Sequence, residues 1–174
     1  MGKIRLFAGT SRELAVLTRG ESVRSDNQQE RFALLGYLAG IIDGEGWVGL
    51  YKQKKADCRA GFGWTPTIAV HMVGPRYIDH LDDVARTLGF PSYVAHYKTS
   101  SRWVIRGMKR TTPVLTALLP YLFVKREQAE HVIEYTRIRM QRPYRSDPTP
   151  EEELLAKAVS ALNMKGKNPQ RLYA

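Results

Sequence analysis

The sequence feature that most constrains the fold is a predicted helix that runs directly into a predicted strand near Gly46. Asp26 and Gln29 fit a capping box, so we expect the helix to extend from about residue 27 to residue 43. From Trp47 onward, alternation between two kinds of side chain replaces the helical spacing, as in a strand with two different faces. The sequence therefore predicts a helix and a strand with almost no loop between them.

Small residues interrupt this helix at four-residue spacing, at Gly36, Gly40 and Gly44. A glycine inside a helix costs about 1 kcal/mol relative to alanine, so repeated glycines on one face need an explanation. Close packing of a second backbone against that face would explain them, as in other helix pairs with small residues four apart. A helix that lies closely over the chain's own sheet is the alternative.

Two carboxylates, Asp43 and Glu45, lie in the last turn of the helix. That end of the helix macrodipole is negative, so each charge there is unfavourable by about 0.3–1 kcal/mol. A bound cation would reverse the effect, and carboxylate and carbonyl oxygens are the ligands that Mg²⁺ prefers. The position of the two acids therefore indicates a function rather than a contribution to stability.

Residues 38–46, LAGIIDGEG, resemble the nine-residue signature of the LAGLIDADG homing endonucleases. The acidic, glycine and hydrophobic positions coincide, a helix pattern precedes the motif and a strand pattern follows it. A weaker resemblance continues to about residue 140. The resemblance implies that Glu45 is the catalytic, metal-binding acid, with the Gly44 carbonyl beside it and Mg²⁺ or Mn²⁺ as the cofactor. Family members often have aspartate where this chain has Glu45.

The same resemblance implies further roles in the site. Lys125 resembles the family lysine that lies beside the scissile phosphate, although a solvated cation at a helix start is the alternative interpretation. We expect Asp43 to be structural and to bind backbone amides at the helix end. Many relatives carry a glutamine late in the second strand, where this chain has Met72, so His71 or Arg76 is the candidate for ordering the attacking water.

The charge of the chain favours a polyanionic partner. Its 27 lysines and arginines exceed its 17 aspartates and glutamates, for a net charge of +10. Such a balance is typical of nucleic-acid-binding proteins, but a basic soluble protein without such a partner can also have it. One cysteine cannot form a disulfide framework, and no apolar run reaches signal-peptide or membrane-span length. We therefore expect an intracellular protein with no membrane partner.

Beyond the motif, the order of patterns predicts an α+β fold with the element order α-β-β-α-β-β-α. Period-two alternation occurs in four segments, and it predicts a saddle-shaped antiparallel sheet of four strands with helices on one face. The segments are residues 47–53, 64–73, 92–98 and 102–108. We expect the chain to divide into three segments. Residues 1–25 form an extension with a short helix between Thr10 and Gly20, and residues 26–142 form the core, with helices starting near Pro75, Pro113 and Lys125. Residues 143–174 form a C-terminal segment, with a helix capped by Thr149 and a basic tail at 165–171.

The open face of this sheet is predicted to carry hydrogen-bonding, aromatic and cationic side chains rather than a second apolar set. Such donors can contact base edges in the major groove, where arginine to guanine is the commonest pairing. An ordinary solvated face is the alternative. Because family members bind DNA with this surface, the resemblance implies DNA contacts for Trp47, Tyr51, Gln53, Lys54, Lys55, Thr65, Thr67, His71, Tyr97, Lys98, Arg102 and Arg106.

The chain carries one copy of the motif, so the resemblance implies the homodimeric branch of the family. The helices of two subunits would then pack together through Gly36, Ala39, Gly40 and Asp43. Strands of about eight residues span ~26 Å, or about seven to nine base pairs, and a dimer would read a nearly palindromic site about twice as long.

The function implied by the resemblance is site-specific cleavage of double-stranded DNA with a staggered double-strand break, in intron homing. An RNA-splicing maturase on the same scaffold is one alternative, with RNA as the partner. A regulator or degenerate nuclease that binds DNA without cleaving it is the other.

Overall fold

The computed structural model describes residues 11–143 and 145–164. It contains two compact units, Met1–Leu34 and Leu35–Ala174. Within the described residues, every helix is too short or too polar to span a lipid bilayer. The elements in chain order are α1 (Ser11–Glu45), β1 (Gly46–Lys54), β2 (Phe62–Val73), α2 (Pro75–Thr87), β3 (Tyr93–His96), β4 (Ser100–Arg106), α3 (Met108–Leu118), a 3-10 turn (Leu119–Tyr121), α4 (Arg126–Met140) and α5 (Pro150–Met164).

The four strands form one antiparallel sheet with the order β1-β2-β4-β3. Val48, Ile68 and Ile105 lie side by side across three strands, and all are buried on one face, together with Val70 and Trp103. Helices α2 to α5 pack against the strands. The predicted α+β class, the four antiparallel strands and the direction of the alternating side chains are therefore confirmed.

The junction between α1 and β1 has no loop, as predicted, because the strand starts at the residue after Glu45. A Cβ added to Gly46 would lie 2.6 Å from the carbonyl oxygen of Ile42 and 2.7 Å from its Cα. Contacts that short between a Cβ and backbone require the backbone to move. Glycine at this position therefore permits the abrupt change from helix to strand.

Helix α1 starts earlier than predicted. It is continuous from Ser11 to Glu45, so the predicted stop at Gly20 and the predicted cap at Asp26 are wrong. Once a helix has nucleated, each further residue adds a hydrogen bond, and one glycine at a cost of about 1 kcal/mol does not end it. The predicted cap at Thr10 and the basic tail at 165–171 lie outside the described residues.

Helix α3 also starts earlier than predicted, at Met108 rather than at Pro113. The carbonyl oxygen of Pro66 in β2 accepts hydrogen bonds from the Gly107 amide (2.9 Å) and from Oγ1 of Thr111 (3.2 Å). These tertiary bonds fix the start of the helix one turn before the proline. They also end β4 at Arg106, two residues before the predicted end.

Helix α5 begins with the predicted cap at Thr149. Its Oγ1 accepts a hydrogen bond from the Glu152 amide at 3.1 Å, and the Thr149 amide donates to Glu152 at 2.9 Å. The buried Glu152 carboxylate lies 3.0 Å from Arg142 and 3.7 Å from Arg139, which ties α5 to α4. These contacts hold helix α5 within the compact unit that contains the sheet. Close to them, burial and the charge of Glu152 raise the pKa of the Tyr135 hydroxyl to about 12.

Candidate active site and nucleic-acid interface

The last turn of α1 is held against the loop before α4 by the side chain of Asp43. Its Oδ2 accepts a hydrogen bond from the Phe123 amide at 2.7 Å, and its Oδ1 accepts one from the Lys125 amide at 2.9 Å. The prediction that Asp43 binds backbone amides at the helix end is confirmed. Contact of Asp43 with a second subunit stays a prediction.

Lys125 contacts the same helix end. Its Nζ donates a hydrogen bond to the main-chain oxygen of Asp43 at 2.9 Å, across 82 positions of sequence. That carbonyl belongs to the turn where the negative end of the macrodipole lies, so the ammonium group is favourably placed there. The fold therefore brings Lys125 to the helix turn that ends in Glu45.

Glu45 and Gly44 are exposed at this end of α1. A carboxylate and a carbonyl near a helix C-terminus are hard oxygen donors, which suit Mg²⁺ or Mn²⁺. No three acidic, histidine or cysteine side chains of the described residues lie together as a complete metal site. The residues present therefore fit a divalent ion as a partial donor set, which oxygens of a phosphate, of water or of a second copy would complete.

The sheet face opposite the buried one is polar and aromatic, as predicted, and is called the polar face below. On it His71 lies opposite Arg102, and Thr67 lies opposite Arg106. Two polar pairs are hydrogen-bonded: Oγ1 of Thr65 donates to Oε1 of Gln53 at 2.5 Å, and Nε2 of His71 lies 2.9 Å from Oγ of Ser100. The predicted residues that the register places on this face are Trp47, Tyr51, Gln53, Thr65, Thr67, His71, Arg102 and Arg106.

The other predicted DNA contacts lie at strand ends or in turns. Lys54 is the last residue of β1 and pairs with Phe62, so it lies at the strand end, and its contact with DNA stays a prediction. Lys55 is half-buried in the turn after β1, whereas Tyr97 and Lys98 are exposed in the turn after β3. Turn residues such as these can reach a ligand beyond the edge of the strands.

Two concavities open on the polar face. The first concavity joins the end of α1 to the sheet, and it is lined by Glu45, Trp47, Ala69, His71, Tyr97 and Arg102. The second is lined by Tyr51, Thr67, Tyr93, Arg102, Val104 and Arg106. Glu45, one of the two acidic residues of the motif, therefore borders the polar face. Arg102 borders both concavities.

Tyr93 is a member of the polar face that the sequence analysis missed. It pairs with Val104 in β4, whose side chain lies on the same face. Tyr93 precedes Tyr97 by four residues, an even spacing that puts both on the same side of a strand, and Tyr97 is among the predicted contacts of this face. The same alternation therefore contained the signal for Tyr93.

Comparison with known proteins identifies the fold. No protein-family model and no curated protein matches the sequence. The homing endonuclease I-CvuI in complex with the I-CreI target matches with a TM-score of 0.66 and 22% identity, over 80% of this chain and 87% of that chain. The I-SmaMI LAGLIDADG homing endonuclease bound to cleaved DNA matches with a TM-score of 0.57 and 14% identity, over 74% of this chain and 42% of that chain. The chain has the LAGLIDADG homing endonuclease fold.

The fraction of each known protein that this chain matches agrees with its single copy of the motif. The chain corresponds to most of I-CvuI but to less than half of I-SmaMI. A second I-CvuI structure, in complex with its target in the presence of 2 mM Ca, matches with a TM-score of 0.66 and 24% identity, over 76% of this chain and 83% of that chain. The chain thus forms one LAGLIDADG unit.

Within this LAGLIDADG fold, the small residues of α1 fall on two sides of the helix. Ala39 is fully buried in its own chain, so its predicted contact with a second subunit is wrong. A Cβ on Gly36 would lie 4.0 Å from Cδ1 of Tyr121, an ordinary contact within the chain. For Gly40 and Gly44, no described atom outside the adjacent residues and the helix's own nearby backbone lies within 4 Å of the position of a Cβ. These two exposed glycines leave the helix backbone accessible.

Proposed function

We propose that the chain is a site-specific, metal-dependent DNA endonuclease that makes a staggered double-strand break in a long, nearly palindromic site. The observation that carries the proposal is the hydrogen bond from Lys125 to the helix turn that ends in the exposed Glu45. A candidate metal-binding acid and a candidate phosphate-binding cation thus belong to the same helix end, and the acid borders the polar face. Intron homing is the biological role proposed for such a break.

Each residue of the site has a chemical role in this proposal. Glu45 and the Gly44 carbonyl would hold Mg²⁺ or Mn²⁺. When bound, a divalent ion polarises the phosphate, activates water and stabilises the leaving oxygen. Lys125 would stabilise the negative charge that develops on the phosphate. DNA-bound structures of I-CvuI and I-SmaMI, which share the fold, support DNA as the substrate.

We infer that His71, rather than Arg76, orders the attacking water. His71 lines the first concavity with Glu45, whereas Arg76 lies in α2, outside the sheet. His71→Gln should keep most of the activity because an amide can hydrogen-bond to water, while His71→Leu should lower the cleavage rate by about 10²-fold. Single-turnover cleavage of a selected target measures both rates. A wild-type rate for His71→Leu would exclude this role.

The proposed enzyme acts as a homodimer whose motif helices pack together at Gly40. We expect Gly40→Leu to dissociate the dimer, because the added side chain occupies the accessible helix surface where a second helix would lie. The subunit itself should tolerate the change, since Gly40 is exposed and no described atom outside the helix's own nearby backbone lies within 4 Å of a Cβ there. Sedimentation equilibrium should show a monomer for Gly40→Leu and a dimer for Lys157→Leu, a control at an exposed position of α5. A dimeric Gly40→Leu would refute the contact.

The proposed activity can be tested without knowledge of the target. The protein is incubated with a library of randomised duplex DNA and Mg²⁺, and the cut ends are sequenced. We expect staggered ends that flank one recurrent, nearly palindromic sequence. Selective binding without cutting would support a DNA-binding regulator, and preference for structured RNA over duplex DNA would support a maturase. Cutting without any recurrent sequence would contradict site-specific cleavage.

A further inference from the structure

The second concavity contains an arginine that the protein already holds in one orientation. The guanidinium of Arg106 lies over the ring of Tyr51, with its Cζ 4.7 Å from the ring centroid. Its Nε is buried and has no hydrogen-bond partner among the described residues. The side chain therefore lies against the sheet and is not free in solvent.

The strand register explains how Arg106 reaches Tyr51 from two strands away. Thr67 in β2 pairs with Arg106 in β4 on one side and with Gly49 in β1 on the other. Thr67 is small and only 3% exposed, and Gly49 has no side chain. Arg106 can therefore cross β2 and meet Tyr51, which follows Gly49 by two residues on the same face.

Burial of Nε determines which donors Arg106 can offer to a ligand. The two terminal nitrogens remain, and together they form a planar fork with parallel N–H groups. Guanine presents two neighbouring acceptors, N7 and O6, on its major-groove edge, whereas adenine presents one acceptor and one donor there. The fork therefore matches guanine and mismatches adenine.

We propose that Tyr51 is a positioning residue that fixes Arg106 for end-on recognition of one guanine in each half of the DNA target. The proposal rests on the proposed function, because it requires the polar face to meet DNA. An aromatic ring that orients a guanidinium before binding reduces the side-chain freedom lost on binding. A contact of the same guanidinium with a phosphate would carry no base preference.

The test measures base preference by binding, independently of cleavage. Randomised duplex DNA is selected by wild type and by four variants in Ca²⁺, and preferences are compared position by position. Tyr51→Phe keeps the ring and should keep the wild-type preference. Tyr51→Leu should weaken the preference for one guanine per half-site by about 5- to 10-fold, and Arg106→Met, which has no donor, should remove it. Tyr77→Leu, which changes an exposed tyrosine of α2, is the matched control.

Chemical substitution in the DNA provides the second measurement. Replacing that guanine by 7-deazaguanine removes N7 and should weaken binding of wild type by about 10-fold, with no further loss for Arg106→Met. An equal loss of affinity for all sequences in Arg106→Met, with base preferences unchanged, would identify a phosphate contact and overturn the proposal. Wild-type preference in Tyr51→Leu would overturn the positioning role alone. Wild type that binds without any base preference would refute both this proposal and site-specific cleavage.

Discussion

Glu45→Gln is expected to abolish DNA cleavage while sequence-specific binding remains. The amide has nearly the shape of the carboxylate but lacks the charge that holds a divalent ion. A rate that falls by about 10³-fold or more corresponds to about 4 kcal/mol of lost transition-state stabilisation. Single-turnover cleavage in Mg²⁺ measures the rate, and binding to the same target in EDTA measures the retained affinity.

Two further variants make the Glu45 experiment specific. Glu127→Gln removes one negative charge from an exposed position of α4 and should leave the cleavage rate unchanged. Glu45→Asp provides the acid that relatives often carry at this position, and it should retain measurable cleavage. If Glu45→Gln cleaves like wild type, Glu45 does not bind the metal ion.

Lys125→Met is expected to lower the cleavage rate by about 10²-fold or more with little change in binding. The variant removes the cation proposed to stabilise the developing phosphate charge, a class of interaction whose loss costs about that much. It also removes the hydrogen bond to the Asp43 carbonyl, so the free energy of unfolding should fall by about 1 kcal/mol. Cleavage rate and urea unfolding are measured on the same samples.

The two roles of Lys125 can be separated. Lys125→Arg keeps the positive charge and should recover part of the cleavage rate. Arg126→Met removes a neighbouring charge that instead pairs with Glu130, and it should cleave like wild type. Reduced stability together with an unchanged cleavage rate in Lys125→Met would limit Lys125 to holding the helix end.

The sheet could be predicted from sequence because one of its faces is buried. Burial fixes register, since a shift by one residue would turn every apolar side chain outward. The directions of Trp47, His71 and Arg106 follow from that rule alone. The structural role of Asp43 could be predicted as well, because a carboxylate at the end of a helix can accept hydrogen bonds from backbone amides. Its donors, the amides of Phe123 and Lys125, lie 80 and 82 positions away and could not be named from the sequence.

Contacts between distant segments could not be predicted in this way. The hydrogen bond from Lys125 to Asp43 depends on where α4 docks, which no local pattern specifies. Burial of Ala39 depends on packing within the unit, and its helical position fits an internal contact and an external one equally. The length of α1 was missed because a capping pattern also occurs within a continuous helix.

Arg102 borders both concavities of the polar face, and this shared position has a consequence for retargeting the proposed enzyme. A substitution at Arg102 would alter sequence choice and the surroundings of Glu45 together, so selectivity and turnover would change jointly there. Gln53 and Thr65 line neither concavity, so their variants should alter selectivity alone. Laboratory evolution of new targets should therefore proceed most easily from such outlying positions.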